Sequence, residues 1–368
     1  ELLPNHLTFF LFQHTALFPD HLPRGVGVNG MLSIEGKKMS KSKGNFITLK
    51  HALNQFGADA TRCALLLGGE GMNDPDWRKD TVGDIKSKLR GFQSLTDSII
   101  KNAKQPTKDH LEKWLLSVLQ QKIKTVTESM ETLKTRTALE NALFEVWNDF
   151  RWYIRRKENL TSNTLKDALG TWTRMMAPFA PYMCEEIWNK LGHTDFVSVA
   201  DWPSIDQNKV DVKAEETENL VKNVLEDTSN ILKATKMVPK QIYYYSAASW
   251  KWKAYLTALK KSASGNIVIG DLMKELMSDP ELKTVAGKVA KFAQGITQEI
   301  NRMPEDMKQR QLQIGALDEA KLLKTAEAFF GREFNVKIHV YREDDPDIHD
   351  PQRKAGFAKP YRPAIYIL

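Results

Sequence analysis

Apolar residues first crowd together without a clear period, with Phe9-Phe10-Leu11-Phe12 inside a stretch running from Pro4 to Phe18. Proline near the first turn and apolar character all round predict a helix buried on most sides. Pro19 to Gly25 ends it. Val26-Gly27-Val28 predicts a short strand, Asn29-Gly30 a tight turn, and Met31 to Ile34 a second strand. Thr48 can cap a helix from Leu49 to Phe56 that Gly57 ends, and a further apolar helix runs from Ala58 to Leu67.

From Asp80 to about Gly192 the period becomes helical. Val82, Ile85, Leu89, Phe92 and Ile99 form one stripe; Leu111, Trp114, Leu115, Val118 and Leu119 begin another. Thr137 and Glu140 have capping-box spacing ahead of Leu139, Leu143, Val146, Trp147 and Phe150. Leu165, Leu169, Trp172 and Met176 give a fourth stripe. Ala177-Pro178-Phe179-Ala180-Pro181 then breaks and restarts the chain, with Glu185-Glu186 expected in the first turn of the new helix. Short connections between successive helices argue for a bundle. Beyond Asp201-Trp202-Pro203 the pattern turns α/β. A helix from about Thr217 to Thr235 leads to a strand at Gln241–Tyr245. Helices are expected over Val285–Ile300 and Asp318–Phe330. Phe334, Val336, Ile338 and Val340 alternate as a half-buried strand, and Ala364 to Leu368 fits an edge strand or an extended arm.

Composition adds little until charge is counted. Hydrophobic residues at 42% and charged residues at 27% of 368 describe an ordinary globular chain of two or three domains. A net charge of +7 favours a polyanionic partner. The two cysteines, Cys63 and Cys184, stand far apart in apolar helical contexts and read as small buried hydrophobes, with no metal cluster or disulfide framework. No apolar run is long enough to span a bilayer. The start at Glu1-Leu2-Leu3-Pro4 is not a signal peptide and reads as the interior of a longer polypeptide.

The densest chemistry lies in Lys38-Met39-Ser40-Lys41-Ser42-Lys43-Gly44-Asn45. Lysine ammonium groups are compact charges on flexible stems, suited to a polyphosphate. Serines and glycine let the backbone bend close to phosphate oxygens. An arbitrary lysine run would be a solvated loop, but Lys-Met-Ser-Lys-Ser followed by Gly-Asn is far more specific. It resembles the second signature of the class I aminoacyl-tRNA synthetases. Gly57-Ala58-Asp59-Ala60-Thr61-Arg62 is similar to the element that follows that loop. Ala177 to Pro181 with Glu185-Glu186-Ile187-Trp188 resembles the helical anticodon-binding domain of the leucine, isoleucine, valine and methionine subgroup. Leu3-Pro4-Asn5-His6-Leu7-Thr8-Phe9-Phe10 and the closing Lys359 to Ile367 resemble the leucyl-tRNA synthetases of archaeal or eukaryotic-cytosolic type.

The resemblance implies a multidomain α/β plus all-α architecture. Residues 1–79 would be the back portion of a class I Rossmann-like catalytic domain, 80–204 a helical-bundle anticodon-binding domain, and 205–368 a small α/β tRNA-binding domain. It implies leucine activation with ATP and Mg2+, then transfer to the 3′ end of tRNA(Leu), by a cytoplasmic monomer with no membrane contact. Lys38 and Lys41 would stabilise charge building on the phosphates, with Met39, Ser40 and Ser42 also against ATP; Lys43 ranks below the other two lysines. The family's His-x-Gly-His element is absent: His6, His14, His21, His51, His110, His193, His339 and His349 form no such pair. The chain is therefore expected to represent the C-terminal part, inactive without the missing N-terminal half.

For tRNA, the candidates are Arg155 and Arg156, Lys236 and Lys240, and Tyr361, Arg362, Ile365 and Ile367. Any one of these basic clusters reads equally well as a solvated surface. In the leucine family the C-terminal domain contacts the long variable arm or the elbow, which would give the tail its role. Two alternatives stay open: an isoleucine, valine or methionine enzyme, and a non-catalytic tRNA-binding protein derived from such a synthetase.

Overall fold

The computed structural model describes residues 3–40, 42, 44–104, 109–157 and 159–368. The described residues are mostly helical, with two small three-stranded sheets among them. It divides into two compact units, one of residues 1–107 and 119–207 and one of 108–118 and 208–368.

In the first unit a π-helical turn, Leu3–Leu7, leads into α1, Thr8–Leu17. No residue of α1 is buried: Phe12 is 72% exposed and Phe9 64%. The expectation of a helix covered on most sides does not hold: among the described residues, none covers these rings enough to bury them. Val26 to Val28 forms no strand either. The chain pairs only at β1, Ser33–Ile34, and β2, Lys37–Lys38, which are antiparallel; β3, Asp76–Trp77, lies parallel on the other side of β1. Between them run α2, Leu49–Phe56, and α3, Ala58–Gly68. Thr48 caps α2 by accepting the His51 N–H at 3.1 Å. Gly57 separates the two helices with φ of 89°, a backbone that a side chain would strain.

Then come α4, Lys79–Asn102, α5, His110–Glu131, of which the stretch up to residue 118 falls in the second unit, and α6, Thr135–Leu139. A π-helical turn at Glu140–Glu145 joins α6 to α7, Val146–Lys157. The bundle closes with α8, Thr164–Met176, and α9, Pro181–Lys190. The α4 stripe is buried as its period predicts. At its centre the Trp172 ring stacks on Phe92 at 3.9 Å and Phe150 at 4.8 Å, and its Nε1 donates to the Ala142 carbonyl at 2.6 Å.

Two helix starts are capped differently from what the sequence spacing predicts. Thr137 does not pair with Glu140: helix α6 starts two residues earlier, and Glu70 takes both the Thr137 N–H (2.9 Å) and its hydroxyl (3.0 Å). Glu140 binds Arg136 instead. Glu185 and Glu186 lie beyond the first turn of α9, which begins at Pro181. Glu185 accepts the Val197 and Ser198 amides, capping the short turn that follows.

Besides the start of α5, the second unit contains α10, Val212–Thr235, which begins five residues earlier than its pattern suggests because Asp211 caps it through the Ala214 N–H. Then come β4, Gln241–Ser246, α11, Ser249–Ser262, and α12, Ile269–Leu276. Next are α13, Pro280–Thr284, α14, Ala286–Asn301, and α15, Glu305–Ile314. The helix expected over Asp318–Phe330 breaks at Ala326 into α16, Glu319–Thr325, and α17, Glu327–Phe334. Strands β5, Lys337–Arg342, and β6, Ala364–Ile367, complete the unit.

Strand β4 is central, parallel to β5 and antiparallel to β6, so the tail is an edge strand. Tyr244 on one face meets Thr228 of α10 and Phe330 of α17; Tyr243, Tyr245 and Tyr366 on the other pack with Ala355 and Ala358. The buried Lys251 ammonium ties the 356–358 turn down through the Gly356 and Ala358 carbonyls and the Glu343 carboxylate. No helix among the described residues is long and apolar enough to cross a membrane.

Candidate functional site

The lysine loop grows out of a hairpin. Strands β1 and β2 turn through Glu35 (φ 50°) and Gly36 (φ 72°), the left-handed pair that suits a two-residue connection. Asp76 on β3 pins this turn: its Oδ1 accepts the Ser33 hydroxyl at 2.7 Å and the Gly36 N–H at 2.8 Å, and its Oδ2 takes Arg78. The Gly36 amide, then the Ser33 hydroxyl, holds the Asp76 carboxyl below the usual carboxylate range. Lys38 is exposed at the end of β2, and Met39 and Ser40 are half-buried. The Ser40 and Ser42 hydroxyls share a hydrogen bond of 3.0 Å. Lys41, the second candidate catalytic lysine, lies outside the described residues, as does Lys43.

Asn45 returns to the base of the loop. Its side chain accepts the Ser40 N–H and donates to the Lys38 carbonyl. Asn45 is part of the motif itself, whereas Asp76 does not stand out by residue type. An aspartate in Asn73-Asp74-Pro75-Asp76 reads as turn chemistry, and the signal that could have found it is its position just before the next helix.

Beside the hairpin opens a cleft of about 1080 Å³, with Leu11, Val26, Val28, Met31 and Met72 on its walls and Lys38 among its lining. Asp74, also on the wall, accepts the Met31 N–H at 2.6 Å. Apolar walls with a cation can hold a flat or aliphatic group while an anionic one meets Lys38. His6 and Asn5 sit in the π-helical turn before α1, from which Leu7 reaches the cleft. Among the described residues, no three or more His, Cys, Asp or Glu side chains gather to hold a metal ion.

The Gly57–Arg62 element and the Ala177–Pro181 break, far apart in sequence, interlock. Asp59 on α3 accepts the Tyr182 and Met183 amides at the start of α9, at 3.3 and 2.8 Å. Arg62 donates to the Pro178 carbonyl at 2.9 Å, and the Cys63 thiol approaches the Phe179 carbonyl at 3.6 Å. Burial raises the Asp59 pKa against the lowering effect of the two amides. Burial likewise pushes the Cys63 thiol up to about 12, so this cysteine is packed and unreactive.

The basic candidates fall into two places. Arg155 and Arg156 end α7 in the first unit, with the Arg155 guanidinium 5.8 Å from the Trp152 ring. In the second unit, Lys236 takes a left-handed conformation at the end of α10, and the Lys240 N–H donates to the Leu368 carbonyl at 2.6 Å. Lys236, Lys240 and Arg362 are exposed. Arg362 and Ile365 share a cleft of about 360 Å³ with Lys354, Phe357 and Lys359. Ile365 and Ile367 are half-buried in β6, opposite Tyr244 and Ile242. Tyr361 is engaged internally: its N–H donates to Glu319 at 2.6 Å, its hydroxyl to the Gly315 carbonyl at 3.2 Å, and its ring meets Trp252 edge-on.

Residues 3–90 match the family described as tRNA synthetases class I (M), and residues 112–243 match the anticodon-binding domain of tRNA ligase. Along its whole length the chain is 41% identical to the leucine–tRNA ligase of Methanococcoides burtonii, covering 38% of that protein. It is 38% identical to that of Methanosarcina acetivorans and 35% to that of Pyrococcus abyssi, again over its whole length, covering 38% and 37% of them. The whole chain is homologous to part of the leucine–tRNA ligases. It spans little more than a third of the length of those curated relatives. Among solved structures, a LeuRS–tRNA–LeuAMS ternary complex from Agrobacterium radiobacter K84 aligns with TM-score 0.47 and 19% identity, over 76% of this chain and 33% of its own.

Proposed function

We propose that this chain is the C-terminal part of a leucine–tRNA ligase, which joins leucine to ATP as leucyl-adenylate and passes the leucyl group to the 3′ end of tRNA(Leu). The observation that carries this reading is the whole-length match to leucine–tRNA ligases of a chain whose Lys38–Asn45 loop stands on a pinned hairpin. Residues 1–79 are then the back of the catalytic domain, 80–204 the helical anticodon-binding domain and 205–368 the tRNA-binding α/β domain.

In adenylate formation the leucine carboxylate attacks the ATP α-phosphate and pyrophosphate leaves. Negative charge grows on the phosphates, and Lys38 with Lys41 meets it there, where fixed cations lower the barrier most. Met39, Ser40 and Ser42 complete the contact with ATP. Mg2+ bound to the triphosphate would share the neutralisation of its charge.

The catalytic half that would carry His-x-Gly-His docks on the uncovered apolar face of α1 and the cleft below it, where Phe9, Phe12, Leu17 and Met31 are exposed. Arg155, Arg156, Lys236, Lys240 and Arg362 track the tRNA backbone, and the tail from Tyr361 through Ile365 and Ile367 sets the docking shape. The enzyme works as a cytoplasmic monomer.

Completing the chain with such a half and measuring amino-acid-dependent pyrophosphate exchange tests the reading. Exchange that depends on leucine supports it. The match of residues 3–90 to the class I (M) family favours one rival, a methionine-type enzyme, which methionine-dependent exchange would reveal. Binding of tRNA with no exchange for any amino acid would leave only the non-catalytic reading.

A further inference from the structure

The side chain of Asn45 ties the lysine loop to its own root. Its Oδ1 accepts the Ser40 N–H at 3.1 Å while its Nδ2 donates to the Lys38 carbonyl at 2.8 Å. Ser40 and Asn45 also face each other as an isolated antiparallel bridge. A carboxamide offers an acceptor and a donor side by side without charge. Aspartate would keep the acceptor and set its second oxygen against the Lys38 carbonyl; alanine would serve neither partner. At the other end of β2, Asp76 fixes Gly36 and Ser33. The two-residue strand that presents Lys38 to the cleft is thus held at both ends by side chains.

The geometry points to Asn45 as a positioning residue that acts through Lys38, fixing the backbone from which that ammonium reaches the bound nucleotide. The inference rests on the reading of this loop as the ATP site. Asn45 itself need touch no reactant. Its effect arises because a reacting charge displaced by about 1 Å can cost up to a hundredfold in rate, and because rigid support keeps a reacting group in place.

A double-mutant cycle in the completed synthetase tests this, with leucine-dependent pyrophosphate exchange as readout. Asn45→Ala should lower kcat by roughly tenfold to a hundredfold, with the KM for leucine, the melting temperature and tRNA affinity unchanged. In a Lys38→Ala background the same substitution should cost little more, because the group it positions is already gone. Asn45→Asp, which keeps the Ser40 bond but sets an acceptor against the Lys38 carbonyl, should lose about as much as Asn45→Ala; it carries the cycle if the alanine variant does not fold. Equal losses in both backgrounds, or no loss from either Asn45 variant while Lys38→Ala is impaired, would overturn the positioning role. If Lys38→Ala itself leaves exchange untouched, the ATP-site reading fails and the inference fails with it.

Discussion

The carboxylate of Asp59 accepts the backbone N–H of Met183 at 2.8 Å, so helix α9 is capped by a residue 124 positions earlier in the chain. The first amides of a helix have no partner within it, and α9 carries no acidic residue in its own first turn. Asp59 supplies both acceptor and charge from α3, while Arg62 one turn later holds the Pro178 carbonyl. Two segments whose family resemblance points to different domains are therefore one mechanical joint within the first unit.

Asp59→Ala should destabilise that unit by about 1–2 kcal/mol, the range of a lost helix cap. Asp59→Asn should cost less, because one carbonyl acceptor survives. Urea unfolding followed by helical circular dichroism measures both; equal stability of all three proteins would show that the cap adds nothing.

Much of this architecture was legible in the sequence. The α4 stripe from Val82 to Ile99 is buried on the face its period predicts, and the Thr48 cap forms. The alternation from Phe334 to Val340 yields β5, displaced by a few residues because Asn335 turns left-handed to end α17. What failed depended on distant partners. Thr137 and Glu140 have the spacing of a box, yet Glu70 arrives from α3's end and satisfies the threonine first. An apolar run announces that α1 needs a cover without saying whether this chain provides it. Val26 to Val28 has strand-like residues but no neighbouring strand to bond. The lysine loop, Asn45 included, stood out at once, whereas the way Asn45 and Asp76 support it became visible only as hydrogen bonds.

The uncovered rings of α1 make a second prediction. Replacing Phe9 and Phe12 by serine should change the stability of the chain by less than about 0.5 kcal/mol, as for surface positions without packing. It should lower binding of an apolar dye and abolish assembly with the catalytic half. Loss of stability on substitution would mean that the helix packs within this chain after all.

Glu319 gives a pH dependence. It is buried at 2% exposure, and burial lifts its pKa from 4.5 to about 7 although the Tyr361 and Ala247 amides work against the shift. Lys253, Asp318 and Arg342 line the same cleft. A carboxyl group with a raised folded pKa binds more protons folded than unfolded between pH 4.5 and 7. Stability from this group is therefore full below about 4.5 and declines as pH rises through about 7, by up to about 3 kcal/mol. Glu319→Gln should flatten that decline in a pH series of thermal melts. An unchanged slope would place the titration elsewhere.

For RNA, Lys240→Ala and Arg362→Ala should each weaken tRNA binding and lower the slope of log affinity against log salt by roughly one. Adenylate formation should stay the same. A change in adenylate formation with no change in salt slope would remove these residues from the tRNA surface.

The Lys38–Asn45 loop is proposed to work on ATP in a leucine-activating enzyme. The most direct measurement of that role is leucine-dependent pyrophosphate exchange by the completed synthetase carrying Lys38→Ala or Lys41→Ala. Each substitution should lower exchange by at least about a hundredfold, as for removal of a group aimed at transition-state charge, with tRNA affinity retained. Exchange at the wild-type rate in both variants would contradict that role.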